Sequence, residues 1–223
     1  MPRVSEEYFE KKKQMIVDAA YSVCLRKPVE MVTMSDVIEE AGLSLGGIYR
    51  FYKDLDEVLC DMVTRMRLDY NFIDKFEKLK SIENPNINDM IYKFCDILGD
   101  TMEKHLMDIQ KINFDLTVLA INEPKRAEKI IGSLKGRGTG NFEYLAQTAL
   151  PMLVKAAKQA GLKPRGKDKD IYNFISAAYT GIEMNCILSA CYGSAIMNVT
   201  CKPKPLFKTL AKTIIYLIGG EEA

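Results

Sequence analysis

The feature that most constrains this 223-residue chain is the spacing of its apolar residues. They recur every three or four positions almost from end to end, and no period-two run leading into a hairpin turn is found. The first such run is Tyr8 to Arg26, where Met15/Ile16, Ala19/Ala20 and Val23/Cys24 return every four residues. Lys27-Pro28 stops it, because the residue before a proline avoids helical dihedrals. This patterning predicts an all-α fold.

Two short helices follow. Thr33 is an N-cap, Asp36 sits in the first turn where the helix dipole favours an acid, and Val37, Ile38 and Ala41 form an inner face. Gly42 ends this helix as a left-handed residue, and only Leu43 separates it from Ser44, which can cap a third helix through about Tyr52. Two helices joined by so tight a turn are a helix-turn-helix unit. Asp54 can cap a helix from Leu55 to about Lys80, and further helices are predicted at 88–107, 109–122, 125–135, 141–160, 168–193 and 204–218.

Composition excludes several classes. With 31 basic and 30 acidic residues the net charge is +1, so a nucleic-acid role must rest on a local site. The six cysteines form no C-x-x-C pair and the one histidine, His105, cannot complete a zinc cluster, so free thiols and no metal are expected; a Cys186–Cys191 redox pair is the lesser alternative. Met184 to Cys201 carries no charge, but its Asn185, Ser189, Asn198 and Thr200 make it a buried helix rather than a membrane span. The N-terminus has no signal-peptide pattern, which points to the cytoplasm. Gly136-Arg137-Gly138-Thr139-Gly140 lacks a preceding strand and has Asn141 where a dinucleotide fingerprint needs glycine. With no nucleophile elbow, metal motif or cofactor fingerprint, no enzyme activity and no cofactor are expected.

Ile16-Val17-Asp18-Ala19-Ala20, Thr33-Met34-Ser35-Asp36-Val37-Ile38, Ala41-Gly42-Leu43-Ser44, Gly46-Gly47-Ile48-Tyr49-Arg50-Phe51-Tyr52-Lys53 and Asp56-Glu57-Val58-Leu59, in that order and spacing, resemble the tetracycline-repressor (TetR) family. The resemblance implies a DNA-binding domain at 1–54 and a helical regulatory domain at 55–223 for ligand binding and dimerisation. It also gives Thr33, Ser35, Tyr49 and Lys53 phosphate-contact roles. The residues themselves add to this. Ile48 and Tyr52 fall four apart and can face inward, leaving Leu45, Gly46, Gly47, Tyr49, Arg50 and Lys53 outward beside the capping Ser44. Glycines at the helix start allow close backbone approach to a phosphate, Arg50 can read guanine or clamp a phosphate, and Leu45 can meet a thymine methyl. Leu55 stands where the family commonly has Lys, and Gly47 leaves no side chain where Thr or Ser often reads a base. Residues 1–53 balance eight basic against eight acidic side chains, so DNA attraction requires charge sorted onto one face. Lys11-Lys12-Lys13 reads as a solvated face before it reads as a phosphate contact.

For the larger part, the resemblance implies an inducer cavity and a two-helix contribution to a homodimer. Phe94, Leu98, Met102, Phe114, Val118, Phe142 and Tyr179 are candidate ligand-lining residues, with ordinary core packing the competing reading of each. Glu183, the lone charge between Ile171 and Cys201, can meet a cationic or hydroxylated group. Tyr172, Ile175, Ala178/Tyr179, Ile182, Cys186 and Ser189/Ala190 of one helix, with Leu206/Phe207, Leu210/Ala211, Ile214/Ile215 and Leu217/Ile218 of the next, are the expected dimer face; intrachain core is the rival. The chain thus reads as a homodimeric, ligand-responsive regulator, expected to be a repressor released from a palindromic operator by a mainly apolar small molecule. The alternative is a ligand-binding or scaffold dimer that has lost specific DNA binding.

Overall fold

The structure is a computed structural model and describes residues 6–69, 73–80, 86–132, 144–192 and 201–221. Helices and helical turns make up its elements, with no strand among the described residues. The chain divides into two compact units: 1–70 with 111–138, and 71–110 with 139–223.

In the first unit, α1 (Glu6–Arg26) buries Ile16, Val17, Ala19, Ala20, Val23 and Cys24, the stripe its periodicity predicts, against α2 (Met34–Ala41) and α4 (Leu55–Asp69). Each large apolar side chain so buried contributes about 1.5–3 kcal/mol. A single helical turn, Val29–Met31, fills the space after Pro28, where the sequence gives no helical signal. Thr33 forms a capping box with Asp36: its hydroxyl accepts from the Asp36 amide at 3.2 Å, and the Asp36 carboxylate accepts from the Thr33 amide at 2.7 Å. α4 contributes Val58, Leu59, Met62, Val63 and Met66 to the core. α7 (Lys111–Asn122) packs on the 29–31 turn, and α8 (Pro124–Gly132) packs on α7 and α4. The unit holding the helix-turn-helix therefore continues past residue 54, through α4, and takes in residues far along the chain.

The second unit contains α5 (Ile73–Lys80), α6 (Ile87–Lys104), π-helical turns at Leu106–Gln110 and Leu145–Ala149, α9 (Leu150–Gln159), α10 (Asp168–Tyr192) and α11 (Pro203–Leu217). Its core joins Phe76, Phe94, Leu98, Met102, Tyr144, Leu153, Tyr179 and Phe207. Phe76 meets Phe94 and Tyr144 edge-on at ring-centre distances of 4.7 and 5.8 Å. The long contact between α6 and α11 depends on Gly99, where a Cβ would lie 3.3 Å from the Lys204 Cα and 3.5 Å from the Phe207 Cβ. Lys204 closes the same contact with ion pairs to Asp100 at 2.9 Å and Glu103 at 3.0 Å.

The face expected to meet a second copy is in large part used within the chain. Ile175, Tyr179, Cys186 and Ser189 of α10, and Phe207, Leu210, Ala211, Ile214, Ile215 and Ile218 at α11, are buried. Helical period alone cannot say which of two apolar stripes faces inward, and α6 covers the α11 stripe. The large apolar residues left exposed are Phe174, Met184 and Tyr192 on α10 and Tyr216 on α11. Among the described residues no helix is long and apolar enough to cross a membrane.

Candidate nucleic-acid interface

The helix-turn-helix is built by local chemistry. Gly42 takes the left-handed conformation (φ 62°) and closes α2, with the next amide, Leu43, bonded back to the Ile38 carbonyl at 3.2 Å. Ser44 then caps α3 (Leu45–Ile48), its Oγ accepting from the Gly47 amide at 3.2 Å. α3 is shorter than the sequence predicts. Residues 49–51 continue as turns with Phe51 bonded to the Ile48 carbonyl at 2.9 Å, consistent with the low helix propensity of Gly46-Gly47. The Ser44 cap also occupies the Gly47 amide, which narrows the backbone donors open to a phosphate to the residues before it.

Ile48 and Tyr52 are 0% and 4% exposed, and the opposite side is open. Leu45 is 63% and Tyr49 50% exposed; Gly46, Arg50, Lys53, Ser44, Thr33 and Ser35 are exposed as well, and Gly47 is half-buried. From Ser44 to Lys53 there is no acidic residue. Among the described residues no ion pair engages the Arg50 guanidinium. Other cations of the unit are taken up by it: Arg26 pairs with Glu40 at 2.6 Å and Lys27 with Asp36 at 2.7 Å. Hydrogen bonds from Lys27, then from Thr33, hold the Asp36 carboxyl down at about 2. Lys12 and Lys13 lie over the rings of Tyr8 and Phe9, and Lys13 also lies 5.4 Å from the Tyr52 ring centre. Among the described residues, Arg50 and Lys53 thus stand at α3 without an ion pair.

Segment 44–53, the probe, is anchored from behind. The Tyr52 hydroxyl donates to Asp61 at 2.5 Å, Arg65 grips the same carboxylate at 3.2 and 3.3 Å, and Arg65 also donates to Gln14 of α1. Burial opposes ionisation of Asp61, but the Tyr52 and Arg65 hydrogen bonds outweigh it and hold its pKa below the usual carboxylate range. Burial, with the bond to Asp61, pushes the Tyr52 phenol up. The Phe51 ring packs against that of Phe9 of α1, tilted by 45° at a ring-centre distance of 4.8 Å. Beyond the probe, Asp54 caps α4 by accepting from the Glu57 amide at 3.0 Å. Lys129 of α8 bridges Asp54 and Asp56 at 2.8 and 3.1 Å, and Arg126 reaches Asp56 at 3.0 Å. The sequence offers only one sign of this anchorage, the i,i+4 spacing of Asp61 and Arg65. The α8 cations lie about seventy residues away, beyond local reading.

The candidate ligand residues divide. Phe94, Leu98, Met102 and Tyr179 come together in the core of the second unit. Phe114 and Val118 are half-buried on α7, in the first unit, and Phe142 lies outside the described residues. Glu183 is one helical turn past Tyr179, and burial pushes its carboxyl up to about 7. His105 ends α6 with its Nδ1 3.1 Å from Asp108. Burial pushes Cys24 to about 12 and Cys186 to about 11, which keeps both as neutral thiols at pH 7; Cys191 is exposed. Among the described residues no three His, Cys, Asp or Glu side chains are grouped to hold a metal ion.

The helix-turn-helix on an all-α scaffold is the arrangement of solved TetR-type regulators, and the chain has their fold. It superposes on the fatty acid degradation regulator FadR from Bacillus halodurans with a TM-score of 0.65 at 14% identity, over 94% of this chain and 95% of that one. A TetR transcription regulator from Haloarcula marismortui gives a TM-score of 0.62 at 12% identity, over 94% and 97% of the two chains. In sequence, the chain is 28% identical over 128 residues to the uncharacterized HTH-type transcriptional regulator YfiR of Bacillus subtilis (strain 168), a match that spans 57% of this chain and 60% of that protein. No protein-family model matches the chain.

Proposed function

We infer that this protein is a DNA-binding transcriptional regulator of TetR type that works as a homodimer. The observation that carries the reading is the two-sided segment 44–53: Ile48 and Tyr52 are locked inward while Leu45, Tyr49, Arg50 and Lys53 stand in solvent, in a segment without an acidic residue. Arg50 supplies a bidentate donor for guanine or phosphate. Tyr49, Lys53, Thr33 and Ser35 contact the flanking phosphates and set the register. One such module reads few base pairs, so two copies must enter successive major grooves about 34–36 Å apart. The surface for pairing is the outer stripe of α10, where Phe174, Ala177, Gly181 and Met184 follow helical spacing; Gly181 has open space around it, which lets a second helix approach closely.

The regulatory part is read as an effector switch. A mainly apolar small molecule lodges among residues such as Phe94, Leu98, Met102 and Tyr179, with Glu183 as the polar contact, and favours a dimer whose two probes no longer fit one duplex. Release of DNA on binding would make the protein a repressor. A hundred-fold loss of DNA affinity needs only about 2.7 kcal/mol of differential binding.

The test is an equilibrium titration of the full-length protein against duplexes selected from a randomised pool. The double variant Tyr49→Ala, Arg50→Ala should lose binding while its unfolding curve and dimer mass stay unchanged. A folded dimer that retains no duplex at low salt would instead mark the chain as a scaffold or ligand-binding dimer.

A further inference from the structure

The tip of the probe has an unusual composition. A recognition helix meets base edges with its first residues. Here those residues are Ser44, Leu45, Gly46 and Gly47. The Ser44 hydroxyl oxygen accepts from the Gly47 amide, which holds that side chain back against the cap and leaves only its O–H to donate. The two glycines carry no side chain, and a Cβ at Gly46 would meet nothing within 4 Å. Leu45 is therefore the one apolar side chain at the tip that can reach a base. It stands 63% exposed, one turn ahead of the exposed Tyr49, while its helix neighbour Ile48 is buried. Isolated exposed apolar residues, such as Met31 and Ile121 in the same unit, are ordinary. Leu45 differs in where it stands: at the capped start of a reading helix, with glycines clearing the space beside it.

An isobutyl group has no hydrogen-bond donor or acceptor. Of the four bases, the one whose major-groove edge offers it an apolar partner is thymine, through its 5-methyl group. Guanine, adenine and cytosine edges would instead be desolvated against it without a bond in return. We propose that Leu45 is the specificity-determining residue at the probe's tip and that it reads a thymine methyl in each half-site. This rests on the reading of segment 44–53 as the DNA probe and goes beyond it, because it names the chemical group recognised and the side chain that recognises it.

The experiment separates the two claims. A duplex is selected from a randomised pool with the full-length protein, and each thymine is then replaced in turn by deoxyuridine, which removes the methyl and leaves base pairing unchanged. The wild type should show one thymine per half-site whose replacement weakens binding roughly four-fold, and replacement in both half-sites should cost roughly sixteen-fold, the loss expected for one and two methyl burials. Leu45→Ala should bind the thymine and uracil duplexes equally. Leu45→Met, which keeps an apolar tip, should still discriminate. The proposal is overturned if no thymine is sensitive in the wild type, or if Leu45→Ala keeps the discrimination while binding the duplex. Failure to select any duplex overturns the probe itself, a different result from binding that ignores the methyl.

Discussion

The anchor behind the probe allows a quantitative prediction. Tyr52→Phe removes one hydroxyl and leaves the ring among its neighbours. The lost bond is a 2.5 Å contact to an ionised carboxylate that Arg65 continues to hold. Hydrogen bonds to charged groups contribute about 1.5–3 kcal/mol. Asp61 is partly solvated and keeps its second partner, so the lower half of that range applies, about 1.5–2 kcal/mol. For a chain of this size that lowers the midpoint of thermal unfolding by roughly 3–8 °C. Asp61→Ala should cost more, because it also leaves the Tyr52 hydroxyl and Arg65 without their common partner. In the double variant the Tyr52→Phe penalty should largely vanish, giving a coupling above about 1 kcal/mol by urea unfolding at neutral pH. Additive penalties would show that the hydroxyl and the carboxylate do not act on each other, and the account of how the probe is held would fail.

Further outcomes follow from particular residues. The pKa of Asp36 is lowered on folding to about 2, so the stability it confers is complete above the unfolded value near 4 and is lost as pH falls from there toward 2; Asp36→Asn should flatten the acid limb of a pH–stability curve. Glu183 behaves in the opposite sense: raised on folding to about 7, it favours the native state below pH 4.5 and progressively less as pH rises through 7, so Glu183→Gln should raise the melting temperature at pH 8 and leave it nearly unchanged at pH 4. Gly99→Ala puts a methyl 3.3 Å from the backbone of α11 and should destabilise by about 1–3 kcal/mol in chemical denaturation.

How much could be read in advance varied with the range of the forces involved. The caps at Thr33, Ser44 and Asp54, the left-handed Gly42 and the inward pair Ile48/Tyr52 are set within a few residues, and the sequence shows them directly. α3 is shorter than its inner-face spacing suggests, because that spacing says nothing about the poor helix propensity of two adjacent glycines. The apolar stripe of α11 was visible, but whether a second copy or α6 covers it depends on packing across more than a hundred residues. The same holds for the enlargement of the first unit by residues 111–132, whose ties are single side chains: Lys111 to the Cys24 carbonyl at 3.2 Å, Asn122 to Glu30 at 3.3 Å, and Lys129 to Asp54 and Asp56. The family resemblance implies one cavity with Phe94 and Phe114 among its candidate lining residues; the fold places the two in different units.

In the proposed function, residues 44–53 enter the major groove. Guanine N7 methylation interference on a selected duplex tests it most directly, since N7 lies in that groove. The wild type should be blocked by methylation of guanines repeated about one helical turn apart, and Arg50→Ala should lose sensitivity to one guanine in each half-site. Interference that is absent, or unchanged after substitution of both Tyr49 and Arg50, would contradict it.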